Sequence, residues 1–136
     1  MNSQNDKQPD PEHILSPNDL YNINSKVTGM MPFVRDYQLL RSAVRRPYLI
    51  LFGEEQFPTL IDKAAATMHS LAAHHLFSDG NKRTAVRATQ LFLEANGIQP
   101  TWTQDEVATF VLEIAKGEVA VEDVAVWLAE HTEINS

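Results

Sequence analysis

The stretch His75-Leu76-Phe77-Ser78-Asp79-Gly80-Asn81-Lys82-Arg83-Thr84-Ala85 decides how the chain is read, because it falls between two helical patterns and concentrates most of the chain's reactive chemistry. A new helix starts near Asn81, and the unpaired N–H groups of a helix's first turn, backed by the positive end of its dipole, form an anion site. Gly80 allows positive φ or close approach to a phosphate, and Asn81 is suited to cap the helix. Lys82 and Arg83 add two cationic donors where a capping turn needs none. Asp79 inside this basic turn suits a Mg2+ ion shared with phosphates. His75, expected at the end of the preceding helix, suits a general base near neutral pH. Each residue has an ordinary reading too: Asp-Gly-Asn is a common turn, Phe77 a core anchor, and Lys82 and Arg83 surface charges. Their co-occurrence in one turn favours a site.

Working outward, the periodicity predicts an all-α bundle of about six helices. Ser16-Pro17-Asn18-Asp19 is a start signal, followed by Leu20, Ile23 and Val27 on one face and a stop at Gly29. A second helix is expected from Asp36 to Arg46, burying Leu39, Leu40, Ala43 and Val44 and halted by Pro47. Tyr48 to Phe57 is apolar without helical period and reads as an extended flap or short hairpin. Thr59 and Asp62 open a long helix with a buried stripe of Leu60, Ala64, Met68, Leu71 and Ala72. The helix from Asn81 carries Ala85, Ala88, Leu91, Phe92 and Ala95 to the Asn96-Gly97 stop. Thr103 and Glu106 open another with Val107, Phe110, Val111 and Ile114, ended by Gly117. The last runs from Val121 to His131, burying Val124 and Leu128 beside Trp127.

One domain is expected over residues 14–132, with a flexible lead-in over 1–13 and a tail over 133–136; 136 residues at 43% hydrophobic content suffice for one core. No apolar run approaches the roughly 20 residues of a membrane span, and the N-terminus lacks a signal pattern, so a cytoplasmic protein is expected. With no cysteine, thiolate and disulfide chemistry is excluded. A net charge of −7 argues against binding along a nucleic-acid backbone, and no direct nucleic-acid binding is expected outside a complex with a partner. The charge is uneven: Arg35, Arg41, Arg45, Arg46, Lys82, Arg83 and Arg87 lie mid-chain, which suits a small anion or an acidic partner. For Arg35 to Arg46 solvated helix faces are an equal alternative. His69 and His74 lack the i, i+4 spacing of a zinc pair, and they, His13 and His131 are read as structural or solvent-facing.

The motif segment resembles the signature of the Fic/Doc superfamily, His-x-Phe-x-Asp/Glu-Gly-Asn followed by phosphate-binding residues. Val34-Arg35-Asp36, Arg46-Pro47, Phe52-Gly53, Pro58-Thr59-Leu60, Lys63-Ala64-Ala65, His69-Ser70-Leu71 and Phe92 to Gly97 extend the likeness towards the Doc (death-on-curing) toxin branch, over nearly all of Ser16 to Leu128. The resemblance implies a helical fold, ATP as substrate, Mg2+ linked to Asp79, His75 as catalytic base, and Gly80, Asn81, Lys82 and Arg83 as phosphate cradle. Adenylyl-transferring Fic enzymes carry a second Gly where Lys82 stands and a second Arg where Val86 stands. Both departures are Doc-like and imply transfer of the γ-phosphoryl group to a protein hydroxyl. In that branch it is a threonine of the elongation factor that delivers aminoacyl-tRNA, so translation is arrested. Arg87, one position out of register and turned about 100° on a helix, is not expected to replace the missing Arg. No Glu-Gly or Glu-Asn is present to form a cis-inhibitory element, so restraint is expected from an antitoxin protein in trans. Arg35, Arg41, Arg45, Arg46, Tyr48 and Phe52 are the residues expected to serve target or antitoxin docking. Two other readings remain: a Fic-type adenylyltransferase, and a catalytically inactive binding partner or corepressor in a toxin-antitoxin complex.

Overall fold

Three helices of this chain begin in the same way, and the repetition explains much of the architecture. The structure, a computed structural model, describes residues 14–134; the expected lead-in over 1–13, with His13, lies outside them. Helix α1 (Pro17–Thr28), α3 (Leu60–Ala73) and α5 (Gln104–Ala115) each start with a capping box. In each, the N-cap hydroxyl of Ser16, Thr59 or Thr103 accepts from the backbone N–H three residues on, while Asp19, Asp62 or Glu106 accepts the N-cap N–H. The other helices are α2 (Tyr37–Arg45), α4 (Asn81–Ala95) and α6 (Val121–Glu130). The helical architecture is as expected.

Helix α3 is the axis of the bundle. Lys63, Ala64, Ala65, Ala66, Thr67, Met68, Ser70, Leu71 and Ala72 are all buried, so the expected stripe is a helix buried on nearly every side. Its run of small residues lets α4, α5, α6, α2 and the turn after α2 pack against it. Helix α1 lies on α4 and α2. Leu60 is 40% exposed, since it occupies the first turn, beyond the covering helices.

Other local expectations need correction. Asp36 is the N-cap of α2 and not its first residue, its carboxylate accepting from Gln38 and Leu39 N–H. Arg46 remains αR at φ −51°, ψ −42°, and the chain passes into a 3-10 turn, Arg46–Tyr48. Pro47 therefore ends α2 by lacking an N–H, not by displacing the residue before it. Only Leu40 and Ala43 of α2 are buried; Leu39, rotated about 100° from Leu40, is exposed, and Val44 is half-buried. Val27 and Leu91 are also half-buried, and Ala95, at the end of α4, is exposed.

The flap is a two-residue hairpin, β1 (Ile50–Leu51) antiparallel to β2 (Glu54–Glu55), with Phe52 fully exposed at its tip. Lys63 ties it to α3: its Nζ donates to Glu55 Oε1 at 3.0 Å and to Phe57 O, and lies 5.9 Å from the Tyr48 ring centroid. A second small sheet was not foreseen. Strand β3 (Ile98–Pro100) pairs antiparallel with β4 (Thr132–Ile134), so Glu133 and Ile134, read as tail, are paired chain. Next to it Trp127 stacks on Phe110 at 4.4 Å and on His131 at 3.9 Å, which closes α5 and α6 over the end of the bundle.

One buried polar residue joins α1 to the rest. Asn24, only 2% exposed, donates through Nδ2 to Asp79 O at 2.8 Å and to Thr84 Oγ1 at 3.1 Å. Its removal leaves a carbonyl and a hydroxyl without their donor. Asn24→Ala is expected to lower stability by about 1–3 kcal/mol; a urea midpoint shift equivalent to less than about 0.5 kcal/mol shows that the link is dispensable.

Candidate active site

The loop between α3 and α4 owes its shape to what flanks each reactive residue. Helix α3 stops at Ala73 with His74 as C-cap, so His75 stands two residues beyond the helix and not at its end. Leu76 N donates to His74 O at 3.0 Å, a bond that closes a three-residue turn with His75 at its apex. Leu76 and Phe77 follow, 0% and 1% exposed, and anchor the loop in the core. Between two such anchors and the helix end, the His75 side chain is left exposed.

Backbone pairing fixes the same loop from the other side. Val34 and Phe77 form an antiparallel bridge, with Arg35 N donating to Leu76 O at 2.8 Å and Ser78 N to Phe33 O at 3.0 Å. Asn81 adds a clamp: Phe77 N donates to its Oδ1 at 3.0 Å, and its Nδ2 donates to Phe77 O at 2.8 Å. This corrects the expected role of Asn81. It is the first helical residue, and its amide holds the loop, so the group it offers an anion is its main-chain N–H.

Gly80 is the N-cap of α4, at φ +75°, ψ +18°, and no side chain caps this helix. Where α1, α3 and α5 have an acid at the third helical position, α4 has Arg83, preceded by Lys82. The N–H groups of Asn81, Lys82 and Arg83 meet no acceptor among the described residues, whereas Thr84 N returns to Gly80 O at 2.8 Å. Three open amides and two cationic side chains at one helix start form a site for an anion with several oxygens. Arg83 is steadied by donating from Nη1 to Val27 O at the end of α1.

Asp79 is exposed beside this turn. Its Oδ1 accepts from Gly80 N at 2.7 Å, and no described residue donates to its other oxygen. No cluster of three metal-ligating side chains exists among the described residues. One free carboxylate oxygen next to a phosphate-sized anion site fits Mg2+, which takes one or two carboxylates and completes its shell with substrate oxygens and water.

From Lys82 and Arg83 a cleft of about 500 Å³ runs between α4 and α5, lined also by Val86, Arg87, Val107 and Val111. The size is within the range of small-molecule sites. Arg87, turned about 100° from Val86 on the helix, lines the same cleft. Arg83 and Arg87 are four residues apart on one helix face, which brings the second arginine alongside.

The remaining predicted residues divide. Arg35 is exposed at the bridge beside the loop, Arg41 is exposed on α2, and Arg45 and Arg46 line a separate cleft with His69 and His74. Phe52 and Tyr48 belong to the flap and its base, and burial pushes the Tyr48 phenol above its ordinary value. His69 is held below its ordinary value by burial first and by Arg46 beside it second. Asn24, Thr28 and Lys63 shape the loop and flap but were absent from the expected set. For Asn24 a signal existed, because it occupies the i+4 position from Leu20 on the buried face of α1. Lys63 and Thr28 act through contacts that no local pattern announces.

No helix among the described residues is long and apolar enough to cross a membrane. The family model described as the Fic/DOC family matches residues 14–93, a span that contains the whole loop and both Lys82 and Val86. A protein named "Toxin Doc" from Mycolicibacterium smegmatis is 42% identical over 98 residues, covering 71% of this chain and 75% of that protein. A protein named "Protein kinase doc" from Escherichia phage P1 is 30% identical over 115 residues, covering 85% of this chain and 87% of that protein.

Gly80 shows how tightly α1 abuts the loop. A Cβ added there would lie 2.5 Å from Thr28 Cγ2 and 3.2 Å from Asn24 Nδ2. Gly80→Ala is expected to cost about 1–2 kcal/mol for the left-handed backbone alone, and more for the clash. Thr28→Ser removes the offending methyl and keeps the hydroxyl that donates to Asn24 O, so in the Gly80→Ala background it should restore part of the loss in thermal unfolding. If the two substitutions are simply additive, the close approach is not what demands glycine.

Proposed function

The chain belongs to the Fic/DOC family, and from that premise we propose that it is a Doc-like toxin that transfers the γ-phosphoryl group of ATP to a protein hydroxyl. The observation that carries this reading is the start of α4, uncapped and cationic where α1, α3 and α5 are boxed and acidic. Phosphoryl transfer needs chiefly positioning and charge neutralisation, and three open amides with Lys82 and Arg83 supply both. The names of the two relatives, one a toxin and one a protein kinase, support the same reading. So do Lys82 and Val86, at the two positions where adenylyl-transferring relatives carry Gly and Arg.

In the proposed reaction His75 takes the proton of the acceptor hydroxyl, whose oxygen attacks the γ-phosphorus. The bond from that phosphorus to the β,γ-bridging oxygen breaks, and ADP leaves with the electron pair. The main-chain N–H groups of Asn81, Lys82 and Arg83 hold the phosphate oxygens, with the side chains of Lys82 and Arg83 opposing their charge. Asp79 would hold Mg2+, which supplies further charge neutralisation at the phosphates when bound. The cleft running from Lys82 towards Val111 supports a donor larger than phosphate itself. Asn81 serves by keeping the loop closed on Phe77.

The acceptor in this proposal is a threonine of the elongation factor that delivers aminoacyl-tRNA, and the setting is the cytoplasm. With no Glu-Gly or Glu-Asn in the chain, restraint comes from a protein antitoxin in trans, for which Arg35, Arg41, Tyr48 and Phe52 offer contact surface. One observation favours a second reading. Arg87 lines the same cleft as Lys82 and Arg83, so a further cation is available to seat an α-phosphate, as transfer of AMP requires.

Labelled ATP separates the two. With Mg2+ and the elongation factor, label in the γ-position is expected on the protein, and label in the α-position is not; the reverse result establishes adenylyl transfer. His75→Ala should reduce transfer at least a hundredfold, and both His75→Ala and Asp79→Ala should relieve growth arrest on expression. Equal arrest by all three proteins removes catalysis from the account and leaves an inactive binding partner.

A further inference from the structure

A second basic cleft, of about 450 Å³, opens between the end of α2, the 3-10 turn and the second half of α3. Arg45, Arg46, His69 and His74 line it, Leu39 and Leu49 form its apolar rim, and no carboxylate is among its described lining residues. Leu39 and Leu49 are 39% and 41% exposed.

Arg46 is the centre of this cleft and is half-buried. Its Nη1 donates to Ser70 Oγ at 2.9 Å and lies 3.0 Å from His69 Nδ1. A guanidinium has no lone pair to offer, so His69 Nδ1 is the acceptor and the ring is neutral, with its proton on Nε2. The guanidinium also lies over the Phe57 ring, 5.5 Å from the centroid. These partners fix the orientation of Arg46, and all are neutral.

Two features are left unsatisfied. Among the described residues no carboxylate comes within ion-pair distance of Arg46, and Glu122 of α6 acts on it only at longer range. The Nε and Nη2 edge makes no hydrogen bond among the described residues, although both Nη1 protons are used. That edge is a fork that matches the two oxygens of a carboxylate. A guanidinium partly withdrawn from water, held rigid and presenting this fork, calls for an anion.

We propose that this cleft docks an acidic segment of the protein that is modified. One Asp or Glu carboxylate of the segment is forked on Nε and Nη2 of Arg46, and a neighbouring apolar side chain rests between Leu39 and Leu49. The apolar rim is what selects a peptide over a free phosphate. The position selects the modified protein, because the cleft reaches His74, and the next residue is His75. Arg45, exposed at the rim, adds attraction for the same charge. This inference rests on the reading of the chain as an enzyme acting on a protein.

The full chain, labelled with 15N on its arginine side chains, is titrated with the blocked peptide acetyl-Leu-Glu-Leu-Ser-Gly-amide, with its Gln counterpart, and with inorganic phosphate. The glutamate peptide is expected to shift the Arg46 Nε–H signal saturably, the Gln peptide to bind at least tenfold more weakly, and phosphate at equal concentration to leave the signal unmoved. Equal binding of the Gln peptide, saturation by phosphate alone, or no shift with the glutamate peptide each overturns the proposal. Arg46→Lys keeps the charge without the fork and should weaken the glutamate peptide at least fivefold; unchanged affinity counts against it. If the variant fails to fold, the titration of the unmodified chain decides. In the transfer assay Arg46→Lys should raise KM for the protein acceptor and leave KM for ATP unchanged. Peptide binding and transfer are read separately, so intact binding without transfer counts against phosphoryl transfer and not against the cleft.

Discussion

The contact on which the rest depends is the seating of Gly80 against α1. At φ +75° with Thr28 and Asn24 directly over its α-carbon, Gly80 lets the loop turn sharply enough for α4 to start where α1 ends. Asn24 then secures that arrangement by donating to the residue before Gly80 and to Thr84, four residues after it. Both acceptors belong to the boundary between loop and helix, so a single side chain on α1 sets the direction of α4's first turn. That direction is what aims the three open amides. The anion site is therefore a product of packing between helices as much as of the loop's own composition.

The same dependence explains why the reactive residues are exposed while their neighbours are buried. Leu76 and Phe77 take the loop into the core, and the bridge to Val34 and the clamp by Asn81 hold it there. His75, Asp79, Lys82 and Arg83 are the residues left facing outward. Burial of α3 on nearly every side, made possible by its alanines, gives this loop a rigid base at His74. The fixed end of one helix and the fixed start of another bracket seven residues, and pre-organised positions of this kind lower the cost of binding the donor proposed for this loop.

What could be read in the sequence follows from the range of the interaction concerned. Ser16, Thr59 and Thr103 each announce a helix because a capping box is closed within four residues, and all three boxes are present. The motif loop was recognisable for the same reason. Asn81 reads as a helix cap, but its side chain pairs with the backbone of Phe77, which it reaches only when the turn is built. Arg87 stands about 100° from Val86 on the helix, and only the packing of α5 shows that both line one cleft. Strand β4 was missed because Ile134 pairs with Ile98 across 36 residues and no local alternation marks it. Leu39 and Leu60 were assigned to the core by period alone, although burial also requires a neighbouring element to cover the position.

Charge completes the picture. A chain of net charge −7 repels phosphates and acidic peptides at long range, but at physiological ionic strength that repulsion decays over about 8 Å. Within such distances the local arrangement governs. At the start of α4, cations stand where α1, α3 and α5 carry acids. At the end of α2, Arg45 and Arg46 line a cleft with no carboxylate among its described lining residues. Among the described residues the one Lys or Arg within ion-pair distance of a carboxylate lies elsewhere: Lys63 with Glu55 fastens the flap. Lys63, which fastens the flap, has a carboxylate partner, whereas Arg46, Lys82 and Arg83 have none within ion-pair distance among the described residues. Neutral partners, the Val27 carbonyl for Arg83 and His69 with Ser70 for Arg46, orient them without consuming their charge, which is the condition an external anion needs.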